Sequence, residues 1–578
     1  MSNLPAEIET KVNQWLQGNY DQNTKDALQA LVNQNDTVGL VDAFYKDLEF
    51  GTGGLRGIMG IGSNRINQYT VGMATQGLAN YLLQSFPNET IKVAIAHDSR
   101  NQSDYFAQIT ANVFSANGIE VYFFESLRPT PELSFAIRHL GCKSGVVLTA
   151  SHNPKEYNGY KAYWVDGAQL VAPHDKNVIA EVQKIQVDQV KFERDESKIH
   201  LIGQDIDEVY LEKVKGLSIS PQAIQNQTDI KIVYTPIHGT GVVLVPEILK
   251  KMGFTNVHVL ESQATPDGNF PTVVYPNPEE AEALSLALAK AKELDADLVM
   301  ATDPDTDRVG IALKNHHNEW QLINGNQTGV LIIHYLLEAL KKANKLQASD
   351  YIVKTIVTTD LIDSMAARFG IDCFNTLTGF KHIASVIREL EGKRQFIGGG
   401  EESYGYLIGD FVRDKDAVAS CAILAEMTAV AKDQGKSLFE QLLDIYLQYG
   451  FYLEDLVSVK KEGKAGAEAI QAMMEDFRQN PPKTLAGSPV VTLKDYQTQT
   501  ATQLQTGNTE QIDLPQSNVL QFLTEDGTKV SARPSGTEPK IKFYFSVKGD
   551  LTQREDFDAV QAQLREKIES LKKDLKLG

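Results

Sequence analysis

The chain has 578 residues, too many for one hydrophobic core, so three or four domains are expected. An apolar fraction of 42% and a charged fraction of 23% are those of a soluble globular protein. A net charge of −19 with an isoelectric point near 5.1 argues against nucleic acid or an anionic membrane as partner, since both attract basic surfaces. Any phosphate site must therefore be assembled locally, from Arg, Lys and backbone N–H groups.

Three scattered cysteines, Cys142, Cys373 and Cys421, suggest no disulfide framework and point to a reducing, cytoplasmic location. The N-terminal stretch has early acids and no apolar h-region, so no signal peptide is expected. No apolar run reaches the roughly 18 residues a membrane span requires.

Residues 4–34 repeat apolar positions at helical spacing (Ile8, Val12, Trp15, Leu16) and predict an N-terminal helical arm. The glycine-rich run 50–57 reads as a loop open to close approach by a ligand, with Arg56 as its anion-binding group. It is not a dinucleotide fingerprint, because Arg56 stands where the last glycine belongs. Residues 92–96, 120–124 and 145–148 predict strands with helical stretches between them, an α/β layer with a mostly parallel sheet. Functional loops of such sheets lie beyond the strand C-termini, where His97, Arg100 and Ser151 would meet. The helical run 205–217 leads into a second αβ unit, which ends at the strand 298–301 and an acidic loop. A third unit takes in 351–357, 376–382 and 396–405, and the helical run 417–448 closes it. Residues 461–486 read as a charged linker helix and loop. Strands 529–532 and 541–547 and an amphipathic helix over 551–575 form the last unit.

Four stretches carry chemistry. Thr149-Ala150-Ser151-His152-Asn153-Pro154 is a tight turn of small residues closed by proline, able to hold the Ser151 hydroxyl out into a cleft, with His152 orienting the loop. Asp303-Pro304-Asp305-Thr306-Asp307-Arg308 follows a buried-type strand; in an extended segment its three carboxylates share one side and suit Mg²⁺. The same residues fit an aspartyl-phosphate phosphatase motif in which Asp305 is the nucleophile. Gly400-Glu401-Glu402-Ser403 offers acceptors for sugar hydroxyls. Arg533-Pro534-Ser535-Gly536-Thr537 combines a guanidinium, two hydroxyls and free N–H groups, a phosphate nest by composition.

From about residue 46 to 547, these motifs in this order resemble the α-D-phosphohexomutase superfamily, most closely its bacterial phosphoglucomutase and phosphopentomutase branch. Residues 266–280 and 378–383 are similar to the same branch. The resemblance implies an α/β protein of three similar mixed-sheet αβα domains plus a smaller α+β C-terminal domain, heart-shaped around a cleft. The expected divisions are 1–205 (phosphoserine), 206–322 (metal), 323–450 (sugar) and 451–578 (phosphate). It implies a phosphoserine at Ser151, with Mg²⁺ held by Asp303, Asp305, Asp307 and the Ser151 phosphoryl. Arg56, Lys161 and His152 would serve catalysis. Arg308, Gly379, Lys381, Glu401, Ser403, Arg533, Ser535, Gly536 and Thr537 would bind substrate. The reaction implied interconverts glucose 1-phosphate and glucose 6-phosphate through glucose 1,6-bisphosphate. Pentose and mannose phosphates are alternative substrates, and a phosphatase or a non-catalytic sensor are remoter readings. A monomer or homodimer acting on small sugar phosphates is expected. Some relatives carry a His four residues after the sugar-loop Glu. Here that position is Gly405, which leaves the acid–base partner open, with Lys381 or His382 as substitutes.

Overall fold

The structure is a computed structural model that describes residues 4–51, 53–461, 463–535 and 540–577. Three small helices, Ala6–Gln17, Gln22–Asn33 and Thr37–Phe44, form the N-terminal arm. They close on Trp15, Phe44 and Tyr69, with Trp15 stacked 4.3 Å from Tyr20.

The first sheet runs Gly54–Ile58, Tyr157–Trp164, Ser144–Leu148, Lys92–His97, Glu120–Phe124, Ile199–Ile202. Its last four strands are parallel; the first two run antiparallel to their neighbours. The glycine-rich segment is therefore an edge strand over Gly54–Ile58 and not a loop. A side chain at Gly54 would meet the Tyr160 carbonyl oxygen at 1.7 Å, so glycine is what lets the strand pair there.

The second sheet orders Trp320–Ile323, Val309–Lys314, Leu298–Thr302, Ile232–Thr235, Val257–Val259, and the third Asp372–Thr376, Tyr351–Thr355, Phe396–Gly400, Tyr406–Ile408. One feature recurs in all three. A buried parallel strand ends, the chain turns, and it comes back as an antiparallel neighbour: Ser144–Leu148 to Tyr157–Trp164, Leu298–Thr302 to Val309–Lys314, Phe396–Gly400 to Tyr406–Ile408. The three turns, 149–156, 303–308 and 401–405, are the serine, acidic and sugar loops. Each hangs from the C-terminal end of a parallel strand, where α/β sheets present their ligands.

The last domain is an antiparallel sheet from Phe451–Lys460 to Thr509–Gln511, with helices Gly463–Gln479 and Phe557–Asp574. The first of these helices is no linker. Ile470 and Met474 are buried, and Phe477 packs edge-on against Phe522 and Phe543. Its charged residues occupy the positions between these and mask the apolar stripe in the sequence.

Candidate active site

Ser151 is nearly fully buried and sits at φ +50°, the left-handed conformation of a tight turn. Its N–H donates to Thr149 Oγ1 (2.8 Å). Arg100, buried at the head of the preceding parallel unit, braces the loop. Its guanidinium donates to the carbonyls of Ser151 (2.5 Å), Pro154 (2.8 Å), Tyr157 (3.1 Å) and Asn153. Asp98, 3.4 Å from Arg100, supplies the counter-charge. His97 is turned to its own neighbour, the Asp98 carbonyl, and joins the strand end without reaching Ser151.

The Ser151 hydroxyl donates to Asp303 Oδ2 (2.7 Å) and lies 3.1 Å from His152 Nδ1. Burial first, then the nearby Arg308 and Arg56 cations, push His152 well below the ordinary imidazole range, so it is neutral. Arg56, on the edge strand, donates to Asn153 Oδ1 (3.1 Å) and leans over the serine loop.

The acidic loop is not extended. Thr306 adopts φ +57°, its N–H bonds back to the Asp303 carbonyl (3.0 Å), and the three carboxylates converge because the chain turns. Asp303, Asp305 and Asp307 are at most 2% exposed. Asp303 Oδ1 accepts the N–H groups of Asp307 and Arg308 (3.1 and 3.0 Å). Lys161 bridges Asp305 (2.6 Å) and Asp307 (3.0 Å). Burial works to lower the Lys161 pKa, but these two carboxylates outweigh it and hold the ammonium charged. Arg308 pairs with Glu279 (2.8 Å) beside the loop.

The donor set fits a hard dication. The three aspartates offer carboxylate oxygens within 4.8 Å of one another. Asp305 Oδ1 and Asp307 Oδ1 are buried without a hydrogen-bond partner. Burial, then the like charges of Asp305 and Asp307, drive the Asp303 pKa well up. A Mg²⁺ ion accepts such oxygens and relieves both the orphaned atoms and the crowded charge.

In the sugar loop, Glu401 is buried and its Oε1 accepts the Gly379 N–H (2.8 Å); Gly379 itself has φ +111°. Burial raises the Glu401 pKa against the pull of Lys415. Ser403 is half-buried in the same turn. Lys381 and His382 open the helix Phe380–Leu390 just beyond Gly379. Burial lowers both, His382 to about 4, and the charge acting on Lys381 is Asp175 of the first unit.

Lys415 is the residue that sequence reasoning missed. Its Nζ lies 3.1 Å from Asp307 and 3.0 Å from Asp414, and the side chain is buried. Burial lowers its pKa, yet Asp307, Asp414 and Glu401 more than restore it, so it too is an ammonium ion. A side chain at Gly405 would meet Lys415 Cδ at 2.0 Å. The bare glycine and the buried lysine are thus one arrangement: Gly405 leaves the room through which Lys415 reaches the acidic loop. Thr130 was missed as well. Its N–H donates to the Asp305 carbonyl (2.9 Å) and its hydroxyl to Asp305 Oδ2 (3.1 Å), tying the first unit to the acidic loop. Alternating lysine and aspartate at 414–416, where a buried helix begins, was the available signal for Lys415.

In the C-terminal domain Arg533 ends the strand Lys529–Pro534 and donates to the Tyr544 hydroxyl (3.3 Å). The Ser535 N–H donates to the Lys540 carbonyl (2.7 Å). Gly536 and Thr537 lie outside the described residues. The structure thus brings Ser151, His152, Arg56, Lys161, the three aspartates and Arg308 into one cluster. Lys415 links that cluster to the sugar loop, and Arg533 stands on a separate domain.

Three αβα units with functional loops on equivalent hairpins, followed by an antiparallel α+β domain, define the four-domain phosphohexomutase class of enzymes. The chain belongs to the phosphoglucomutase/phosphomannomutase family. Residues 47–189, 208–317 and 324–449 match its α/β/α domains I, II and III, and residues 456–563 its C-terminal domain. Phosphoglucomutases of Staphylococcus haemolyticus and Staphylococcus aureus are 37% and 38% identical, over 88% and 91% of this chain and 91% and 93% of theirs. In fold it is similar to parafusin, a phosphoglucomutase of Paramecium solved in an open form (TM-score 0.68, 18% identity, 92% of this chain and 95% of that one). It is also similar to a family protein of Burkholderia thailandensis (TM-score 0.61, 20% identity, 90% and 97%). Among the described residues no helix is long and apolar enough to cross a membrane.

Proposed function

We propose that the chain is a phosphoglucomutase, interconverting glucose 1-phosphate and glucose 6-phosphate by way of a phosphoryl group carried on Ser151. The observation that carries this reading is the 2.7 Å contact between the Ser151 hydroxyl and Asp303 at the edge of the buried carboxylate cluster. A phosphoryl group on Ser151 would enter beside those carboxylates. Asp303, Asp305 and Asp307 would hold Mg²⁺ together with one phosphoryl oxygen; bound there, the ion neutralises charge and polarises the P–O bond.

The sugar hydroxyl attacks phosphorus, the bond from phosphorus to Ser151 Oγ breaks, and glucose 1,6-bisphosphate results. After the intermediate turns over in the cleft, its other phosphate returns to Ser151. Arg56, Lys161 and Arg308 surround the transferred group with fixed positive charge. The proton that the sugar hydroxyl loses ends on Ser151 Oγ, and the neutral His152 beside that oxygen orients the serine loop through its contact at Nδ1. Glu401 and Ser403 read sugar hydroxyls, Gly379 and Lys381 line the same side, and Arg533, Ser535, Gly536 and Thr537 hold the phosphate that does not react. Lys415 takes the place left open at Gly405, neutralising charge between the sugar and acidic loops.

Incubation with glucose 1-phosphate, Mg²⁺ and a trace of glucose 1,6-bisphosphate is expected to yield glucose 6-phosphate. Ser151→Ala is expected to lose about 10⁴-fold or more in kcat, as removal of a covalent nucleophile does. Absence of product with glucose, but turnover of ribose or mannose 1-phosphate, would move the substrate and keep the mechanism. Full activity in Ser151→Ala would remove the mechanism itself.

A further inference from the structure

We propose that His316, His317 and Asp558 form a second metal site, for a borderline transition-metal dication such as Zn²⁺, which clips the second unit to the C-terminal domain. The site is separate from the carboxylate cluster and does not depend on the reading of Ser151. His316 Nε2 lies 3.1 Å and His317 Nε2 2.9 Å from the same atom, Asp558 Oδ2. The three ligand atoms lie within 4.8 Å of one another. Neighbouring ligands on a tetrahedral zinc ion, with bonds of about 2.1 Å, stand roughly 3.3 Å apart. A small opening of these contacts therefore admits the ion. A plain ion pair needs one imidazole, whereas here two converge on a single carboxylate oxygen.

The ligands are held in place before any ion arrives. The histidines occupy the turn between Val309–Lys314 and Trp320–Ile323. Asn315 closes that turn: its Oδ1 accepts the N–H groups of His317 (2.9 Å) and Glu319 (3.0 Å), while its own N–H donates to the Glu319 carbonyl (2.8 Å). Asn318 supplies the left-handed residue, φ +61°. The His316 ring stacks on Phe439 of the third unit (5.7 Å, 17°) and meets Phe557 edge-on (5.6 Å, 90°). Asp558 stands in the first turn of the helix Phe557–Asp574. The side chains of His317 and Asp558 are 55% and 56% exposed, which gives an ion access and leaves room for water to complete its coordination.

Donor chemistry separates the two sites. Three carboxylates suit Mg²⁺, which binds imidazole poorly; two imidazoles and one carboxylate suit Zn²⁺, Co²⁺ or Ni²⁺. An ion here would join a turn of the second unit to the last helix of the chain, at the point where Phe439 of the third unit also packs. It would hold the C-terminal domain in this docked position.

The test uses the whole protein in excess Mg²⁺, so that the carboxylate cluster is filled. Co²⁺ is titrated and its visible d–d absorption read; Zn²⁺ is followed by calorimetry and by the thermal midpoint. One equivalent should bind at roughly micromolar concentration with an imidazole-type spectrum. His317→Ala should weaken it at least about tenfold, by loss of a direct ligand. Zn²⁺ should raise the midpoint of the wild type and leave that of the variant unmoved. Asp558→Asn provides a second variant that keeps both imidazoles and should weaken binding likewise. Absence of saturable binding below about 100 µM, far weaker than structural zinc sites, or equal binding by wild type and both variants, would overturn the site and leave a simple histidine–aspartate contact.

Discussion

Two joints in the molecule are built differently. Where the first three units meet, the contacts are buried and charged. Ser151 reaches Asp303, Thr130 and Lys161 reach Asp305, and Lys415 reaches Asp307. The same joint continues through Tyr163 to Asp414 (2.7 Å) and Tyr210 to Asp416 (2.8 Å). Where the C-terminal domain meets the third unit, the ion pairs end on partly exposed carboxylates: Asp360, Asp444 and Glu440. Lys529 pairs with the partly exposed Asp360 (2.5 Å), and Lys529 and Gln521 both donate to the Ile356 carbonyl. A small apolar cluster that includes Ile356, Leu377, Val519 and Tyr544 lines part of the contact, and Phe439 and Tyr446 pack on Phe557 in another part. Breaking a buried charge pair strands a charge and costs several kcal/mol, so the first joint holds one geometry. The second joint can open and remake at lower cost. Ser151, the nucleophile of the proposed mechanism, sits on the first. Arg533, proposed to hold the phosphate that does not react, stands beyond the second, where domain movement is expected.

The difference is first tested by removing Lys415. Lys415→Met keeps the length of the side chain and removes its charge from between Asp307 and Asp414. It is expected to lower kcat about 10²–10³-fold, the scale of a lost electrostatic or proton-transfer group, with a smaller change in KM. Circular dichroism should show a folded protein. A kcat within a few-fold of wild type would mean that the lysine only fills the space above Gly405.

The second joint should respond in another way. Asp360→Ala is expected to raise KM for the sugar phosphate a few-fold and to leave kcat within about threefold, since it takes a carboxylate from Lys529 and Lys354 at the domain contact and touches nothing in the serine loop. Hydrogen exchange should quicken at residues 356–360 and 521–529 and stay unchanged at 149–156. Faster exchange in the serine loop would mean that the two joints are coupled.

The sequence made the loops of the first joint legible and left much of the joint itself unread. Small residues and a proline after an apolar run mark the serine turn, and three aspartates after a buried strand mark the acidic one. The equivalence of the three hairpins was hidden, because an antiparallel return strand has the same composition as a parallel one. The sequence pattern of the acidic loop implies an extended segment, because no propensity rule places a β-branched Thr306 at positive φ; only the surrounding hydrogen bonds do. Lys415 and Thr130 act on residues far away in sequence, and local pattern carries no record of such contacts. The charges of the helix Gly463–Gln479 give a packed element the composition of a linker, although Phe477 lies against Phe522 and Phe543.

The last effect expected shows in stability and leaves turnover aside, and it reports on charge inside the first joint. Asp416 is fully buried, caps the helix Ala417–Asp433 through the Ala419 N–H (2.8 Å), and accepts the Tyr210 hydroxyl. Its Oδ2 has no partner. Burial pushes its pKa from 3.8 up to about 6. A carboxyl whose pKa is higher folded than unfolded stabilises the fold below its unfolded value, near pH 4, and that stability is lost as pH rises through about 6. The loss reaches up to about 3 kcal/mol by pH 7. Asp416→Asn keeps an oxygen for Tyr210 and Ala419 and has no such proton to lose. Relative to wild type, its thermal midpoint should therefore climb between pH 4 and pH 7 and then level off. If the two proteins instead keep a constant difference across that range, Asp416 carries no extra proton in the folded state, and the joint is held by hydrogen bonds to an ionised carboxylate.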